Sequence, residues 1–185
     1  KIGIEYLTVY AFSTENWKRP ASEVDYLMKL LISFVEKKLA ELMDNDCKLN
    51  FLGDLEALPS PTKKACKLAL DKTKNNKSLF INIALNYGGR AEIVHAVKFI
   101  LDKGYESFEI TEDLIKENLY TKDIPDPDLL IRPGGELRIS NFLIYQIAYS
   151  ELYFTDCLWP DFTSDEFDKA IEAYKKRNRR FGDIK

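Results

Sequence analysis

The stretch Arg132-Pro133-Gly134-Gly135-Glu136-Leu137-Arg138-Ile139-Ser140-Asn141 concentrates groups that could do chemistry. Two arginines bracket a Gly-Gly turn, and a Ser-Asn pair follows. Paired glycines let backbone N–H groups approach an anion closely. Guanidiniums grip phosphate oxygens through a two-pronged fork, and the Ser140 hydroxyl can add a donor. That combination suits a diphosphate. A surface turn with incidental arginines accounts for the same residues equally well, because Gly-Gly turns are common.

A second stretch, Ser13-Thr14-Glu15-Asn16-Trp17-Lys18-Arg19-Pro20, mixes hydroxyls, a carboxylate, an amide, an indole and an arginine. Two readings stand side by side. In one, Ser13 or Thr14 caps a helix and Trp17 plugs the core. In the other, Asn16 and Arg19 lie beside bound anions and Trp17 forms an apolar wall. Glu151 is a third candidate. A carboxylate there could help hold Mg²⁺, which commonly takes one or two protein carboxylates plus phosphate and water oxygens. An ion pair with a nearby arginine is the simpler account.

These segments need elements to position them. Residues 2–12 (IGIEYLTVYAF) read as a buried strand. Residues 20–44 read as a long amphipathic helix opened by Pro20. Lys48–Leu52 is a second strand. Ser60 is expected to cap a helix that runs to Lys74, with Pro61 in its first turn. Leu79–Leu85 is apolar enough to be covered on both faces. A turn at residues 86–90 leads into a helix over residues 91–103, stopped by Gly104. Thr111 caps a short helix. Residues 129–132 form a strand, 141–149 a helix, 152–155 a strand and 164–180 the closing helix. The alternation predicts one α/β domain, a mainly parallel central sheet with flanking helices. Ligands of such sheets bind outside the carboxyl ends of the strands. Residues 13–19, 86–90 and 132–141 each follow a strand and are therefore expected on one rim.

Composition excludes several classes. The 185 residues carry 27 basic and 30 acidic side chains, a net charge of −3, which gives no electrostatic case for a nucleic-acid binder. Cys47, Cys66 and Cys157 form no CxxC pair, so neither a disulfide framework nor a zinc site is indicated. The single histidine, His95, reads as a helix-face residue. No apolar run approaches the ~20 residues of a membrane span. Acids cluster over residues 105–128 and bases over 175–185, and both read as solvated surface. A nucleotide-binding module would need GxGxxG or GxxxxGK[ST], and neither occurs.

Four segments, AFSTENWKRP at 11–20, NIALNYGGR at 82–90, IRPGGELRISNF at 131–142 and AYSELYFTDCLWPDF at 148–162, closely resemble signatures of the cis-prenyltransferases, in matching order from Gly3 to Arg180. The resemblance implies an enzyme of the bacterial undecaprenyl diphosphate synthase type. It would add isopentenyl diphosphate to an allylic diphosphate such as farnesyl diphosphate, with cis geometry, making a polyprenyl diphosphate that carries cell-wall precursors. It implies Mg²⁺ as cofactor and no nucleotide. Carried over by position, Arg132, Arg138 and Ser140 resemble the isopentenyl diphosphate site, with Ile139 contributing main chain. Glu151 resembles a magnesium ligand. Ser13, Thr14 and Glu15 resemble substrate contacts, Asn16 a residue taking part in proton removal, and Trp17 and Arg19 further substrate-site residues. A homodimer is implied, with the aromatic segment Leu143–Phe162 as one account of its interface, and a cytoplasmic location with peripheral membrane contact through the lipid product.

Three departures from the family pattern bear on this. Pro133 replaces a hydroxyl residue common in relatives and removes one N–H from the turn. Leu137 stands where some relatives have histidine. The chain contains no Asp-Gly-Asn loop and starts at what resembles the family's second strand. Residues 1–185 are thus expected to be an N-terminally incomplete cis-prenyltransferase domain, nearly inactive alone. The alternative is a non-catalytic accessory subunit of a cis-prenyltransferase complex.

Overall fold

Strands and helices alternate as the hydrophobic pattern requires. In the computed structural model, residues 3–177 are described, and the chain divides into two compact units, residues 1–124 and 125–185. The fold is α/β, with parallel strands and flanking helices.

The first unit contains β1 (Tyr6–Ser13), α1 (Ala21–Asp44), β2 (Cys47–Leu52), α2 (Ser60–Thr73), β3 (Leu79–Tyr87), α3 (Gly89–Asp102) and α4 (Glu112–Lys116). Its sheet has the order β1-β3-β2, all parallel. The central place of β3 suits its mainly apolar run over residues 79–85, interrupted by Asn82, since a strand with neighbours on both edges meets little water. A polar row fixes the register of the sheet. Asn50 Nδ2 donates to Asn82 Oδ1 at 3.4 Å, and Asn82 Nδ2 donates to Thr8 Oγ1 at 3.3 Å. A slip by one residue would turn these side chains to the opposite face.

Helix α1 buries Val24, Met28, Leu31 and Val35, one stripe at spacings of four, three and four. That stripe packs on Leu49, Phe51, Ile83 and Leu85 of the sheet and on Ala65, Cys66 and Ala69 of α2. Fully burying each larger apolar side chain contributes about 1.5–3 kcal/mol. The outer edge of β2 is closed by side chains. Leu49 N–H donates to Thr73 Oγ1 at 3.0 Å, and Asn76 Nδ2 donates to the Cys47 carbonyl at 2.8 Å. Edge groups satisfied in this way are removed as templates for further pairing.

The second unit pairs β4 (Leu129–Pro133) in parallel with β5 (Glu151–Thr155), followed by α5 (Ser164–Lys175). Among the described residues the strands pair as a three-stranded and a two-stranded sheet, parallel throughout.

Several local expectations change. The first strand starts at Tyr6, later than expected, with residue 2 outside the described residues, and β3 runs two residues further, to Tyr87. Ser60 is the first residue of α2, and its cap position is Pro59, without a side-chain bond. Thr111 does cap α4, accepting from Leu114 N–H at 3.1 Å. Gly104, with φ +81°, ends α3 in the left-handed conformation that glycine permits. Residues 141–149 are not a helix. Ser140, Asn141 and Leu143 take φ values of 49°, 63° and 47°, which no right-handed helix tolerates. A single turn, Ile147 N–H to Leu143 O at 3.0 Å, forms and does not propagate. The closing helix stops at Lys175, and residues 178–180 lie outside the described residues.

Candidate functional site

Residues 13–19 follow β1 directly. Ser13 N–H donates to Asn16 Oδ1 at 2.8 Å in a capping box that opens a 3-10 turn over Thr14–Lys18. Arg19 N–H returns to Asn16 O at 3.0 Å. Capping thus uses Ser13 and the Asn16 amide oxygen, as the simpler sequence reading expects. The Thr14 hydroxyl donates to Glu15 Oε2 at 3.2 Å. The Arg19 guanidinium pairs with Glu23 at 2.7 Å, one turn on. Trp17 is no core plug, being 38% exposed. Its ring lies edge-on to Phe12 at 5.1 Å, and its Nε1–H donates to Asn86 Oδ1 at 2.7 Å.

That bond joins two of the three segments expected on one rim. Ser13 and Tyr87 are register partners at the carboxyl ends of β1 and β3. Behind them lies a buried polar cluster. The fully buried Glu92 accepts from the Tyr87 hydroxyl at 2.5 Å and from Tyr120 N–H at 2.9 Å. The Tyr10 hydroxyl donates to the Tyr87 carbonyl at 3.1 Å. Burial, reinforced by the Glu15 charge, pushes the Tyr10 phenol up to about 12. Burial, with Asp54 and Glu92 nearby, does the same to Tyr120. His95 sits on α3 as expected, stacked on Tyr120 at 4.8 Å.

The third segment lies in the second unit. Arg132, at the end of β4, donates through Nη1 to the Arg138 carbonyl at 2.5 Å and to Ser140 Oγ at 2.6 Å. The loop is thereby folded back so that the Arg132 guanidinium meets the Arg138 main chain and the Ser140 hydroxyl. The Arg138 guanidinium pairs with Glu136. Ile139 turns the chain, its carbonyl accepting from Phe142 N–H at 3.1 Å. The glycines do not act as expected. Gly134 N–H donates to the Cys157 carbonyl at 2.8 Å and Gly135 N–H to the Thr155 carbonyl at 2.9 Å, so both are committed to holding the loop against β5. Their φ values of 99° and 76° explain why glycine is needed at both. Anion-binding capacity in this loop rests on side chains. Leu137 is 80% exposed and faces solvent.

Glu151 opens β5, and its Oε2 accepts from Arg177 Nη1 at 2.5 Å, the ion pair considered from sequence. Among the described residues no group of three or more His, Cys, Asp or Glu side chains gathers. A single carboxylate of this kind could supply at most one protein side chain to a magnesium ion. The three cysteines are free thiols, Cys47 and Cys66 buried, and burial raises the Cys66 thiol to about 11. Two contributors escaped sequence reasoning. Arg177 was absorbed into a basic run read as solvated, and Asn86 stood in the segment 86–90 expected on the rim, but with no role given to Asn86 itself.

The fold is that of an α/β protein whose parallel strands are followed by loops carrying arginine, hydroxyl and amide side chains. Residues 1–182 match the prenyltransferase family described as "Putative undecaprenyl diphosphate synthase", and the chain belongs to that family, the cis-prenyltransferases. Isoprenyl transferase of Clostridium tetani is 51% identical over 187 residues, covering 99% of this chain and 73% of that protein. That of Geobacillus kaustophilus is 53% identical over 188 residues, covering 100% and 73%. A crystal structure of a "probable undecaprenyl diphosphate synthase" from Campylobacter jejuni superposes with TM-score 0.88 at 37% identity, over 97% of this chain and 84% of that one. Lavandulyl diphosphate synthase from Lavandula x intermedia, in complex with dimethylallyl diphosphate, gives TM-score 0.93 at 34% identity, over 98% and 80%. The chain is a prenyltransferase. No described helix is long and apolar enough to cross a membrane.

Proposed function

We propose that this prenyltransferase condenses isopentenyl diphosphate onto farnesyl diphosphate with cis geometry, giving a long polyprenyl diphosphate, undecaprenyl diphosphate, that serves as a cell-wall lipid carrier. The observation that carries the reading is the Arg132 guanidinium bonded to Ser140 Oγ at 2.6 Å and to the Arg138 carbonyl at 2.5 Å, in a loop that also carries the Arg138 guanidinium, paired with Glu136. Two guanidiniums and a hydroxyl suit the several oxygens of one diphosphate. The isoprenyl transferases at about half identity support the reading. The Lavandula relative carries a different product in its name, so the fold alone does not select the product.

In this reading Arg132, Arg138 and Ser140 hold isopentenyl diphosphate, with the Ile139 main chain beside them. Held there, its double bond can be oriented toward an allylic carbon, a positioning effect. Ser13, Thr14, Glu15, Trp17 and Arg19 contact substrate, and Asn16 takes part in removing the proton lost on each condensation. Glu151 contributes to holding Mg²⁺, and Arg177 must then share that carboxylate. Bound there, Mg²⁺ would supply charge that offsets the charge of a departing diphosphate. We further propose a homodimer. Tyr149 and Trp159 are 73% and 69% exposed within the segment Leu143–Phe162, as aromatic residues of an interface would be in a single chain. The location proposed is cytoplasmic, with peripheral membrane contact through the product.

The test is incorporation of radiolabelled isopentenyl diphosphate in the presence of farnesyl diphosphate and Mg²⁺, with and without an added N-terminal segment carrying an Asp-Gly-Asn loop. Polyprenyl product from the extended protein, and near-background product from these 185 residues, is the expected result. Product from the shorter chain would overturn the requirement for that loop. No product from the extended protein would favour an accessory subunit.

A further inference from the structure

The Thr14–Lys18 turn is a weak element by itself. A 3-10 turn has poor hydrogen-bond geometry, and five residues cannot hold an orientation without help. Its help comes from the far end of β3. Asn86 is buried, at 6% exposure, and takes φ 49°, a left-handed conformation that asparagine tolerates better than other side chains. Its Nδ2 donates to the Asp54 carbonyl at 2.8 Å, and its Oδ1 accepts from Trp17 Nε1–H at 2.7 Å. Only this orientation of the amide matches each donor with an acceptor.

The anchor is fixed on its other sides as well. Asp54 N–H donates back to the Asn86 carbonyl at 3.3 Å. Gly53 lets the two backbones meet, since a Cβ there would fall 2.9 Å from the Asn86 carbonyl oxygen and 2.1 Å from that of Leu85. The next residue, Tyr87, is fully buried and tied to Glu92. An amide clamped in this way has little freedom to follow the indole, so the indole must follow it.

We propose that Asn86 is a positioning residue: it locks the Trp17 indole, and through it the presentation of residues 13–19, onto the carboxyl ends of β2 and β3. The inference rests on the reading of residues 13–19 as substrate-contacting. Asn86 acts through Trp17 and touches no substrate itself.

The chain has two tryptophans, so Trp159→Phe leaves Trp17 as the sole indole fluorophore. In that background Asn86→Ala should red-shift Trp17 emission and raise its quenching by acrylamide. Asn86→Asp keeps an oxygen for the indole and should restore most of the signal. If Asn86→Ala does not fold by circular dichroism, Asn86→Asp and Trp17→Phe carry the test. Equilibrium dialysis with radiolabelled farnesyl diphosphate supplies the second readout. Trp17→Phe and Asn86→Ala should each weaken binding about tenfold, and the double variant should bind no worse than either single one. Unchanged Trp17 emission in a folded Asn86→Ala protein overturns the proposal, as does additive loss in the double variant. Shifted emission with unchanged binding supports the lock and instead removes the substrate role of residues 13–19.

Discussion

Residues 13–19 and residues 132–141 each follow a parallel strand, yet they are held in different ways. The first segment takes its orientation from another element, through an indole bonded to Asn86 and a ring resting on Phe12. The second is pinned to β5 at its base by two glycine N–H groups and closed at its tip by its own Arg132. In the first, the outer anchor Asn86 is assigned no substrate contact, although Trp17 and Asn16 both hold the turn and are assigned to substrate. In the second, Arg132 serves both purposes. Substitutions around the first segment should therefore damage stability or binding separably, while substitution of Arg132 should disturb loop and ligand together.

Gly53→Ala should have the largest effect. Its φ of 129° and a Cβ 2.1 Å from the Leu85 carbonyl oxygen require the ends of β2 and β3 to separate. A loss of about 3 kcal/mol or more is expected in thermal or denaturant unfolding. A protein of unchanged stability would show that the anchor beneath residues 13–19 is soft. Tyr87→Phe removes the phenol that donates to Glu92 at 2.5 Å in a fully buried site. About 1–3 kcal/mol should be lost on unfolding, with the arginine loop unaffected in isopentenyl diphosphate binding.

Alkaline pH tests the same cluster without mutation. Tyr10 and Tyr120 are raised from the ordinary 10.0 to about 12, so the folded chain keeps both phenols neutral where the unfolded chain ionises them. The stability they contribute is complete below about 10 and is lost as the pH rises toward about 12. Tyrosinate absorbance should show two late-titrating groups, and Tyr10→Phe should remove one of them. The smallest effect is expected from Glu23→Gln. The Arg19–Glu23 pair is half exposed, and its loss should cost less than about 0.5 kcal/mol. A larger cost would mean that Arg19 is held by Glu23 for a purpose beyond the surface.

Much of the first unit was legible in the sequence because its signals are local and periodic. The apolar spacing of Val24, Met28, Leu31 and Val35 marks α1, the mainly apolar run at 79–85 marks a central strand, and Gly104 and Thr111 mark a helix end and a helix start. The second unit was harder to read. Residues 141–149 carry helix-forming side chains, and nothing in their composition announces that Leu143, buried and β-unbranched, takes a positive φ. The Gly-Gly pair was legible as a turn, but the capture of its N–H groups by β5 depends on pairing between strands eighteen residues apart, Pro133 to Glu151. The arginines and Ser140 were recognisable because their chemistry belongs to side chains. The Trp17–Asn86 and Glu151–Arg177 bonds were not, since their partners stand 69 and 26 residues apart in the chain.

Whether Arg132, Arg138 and Ser140 hold a diphosphate is decided by equilibrium binding of radiolabelled isopentenyl diphosphate to the wild-type chain, Arg132→Lys and Arg132→Ala. Saturable binding by the wild type should weaken about 100-fold in Arg132→Ala, and lysine should not restore it, because a point charge cannot bridge Ser140, the Arg138 carbonyl and a phosphate oxygen as a planar fork can. Equal affinity in all three proteins would contradict the account.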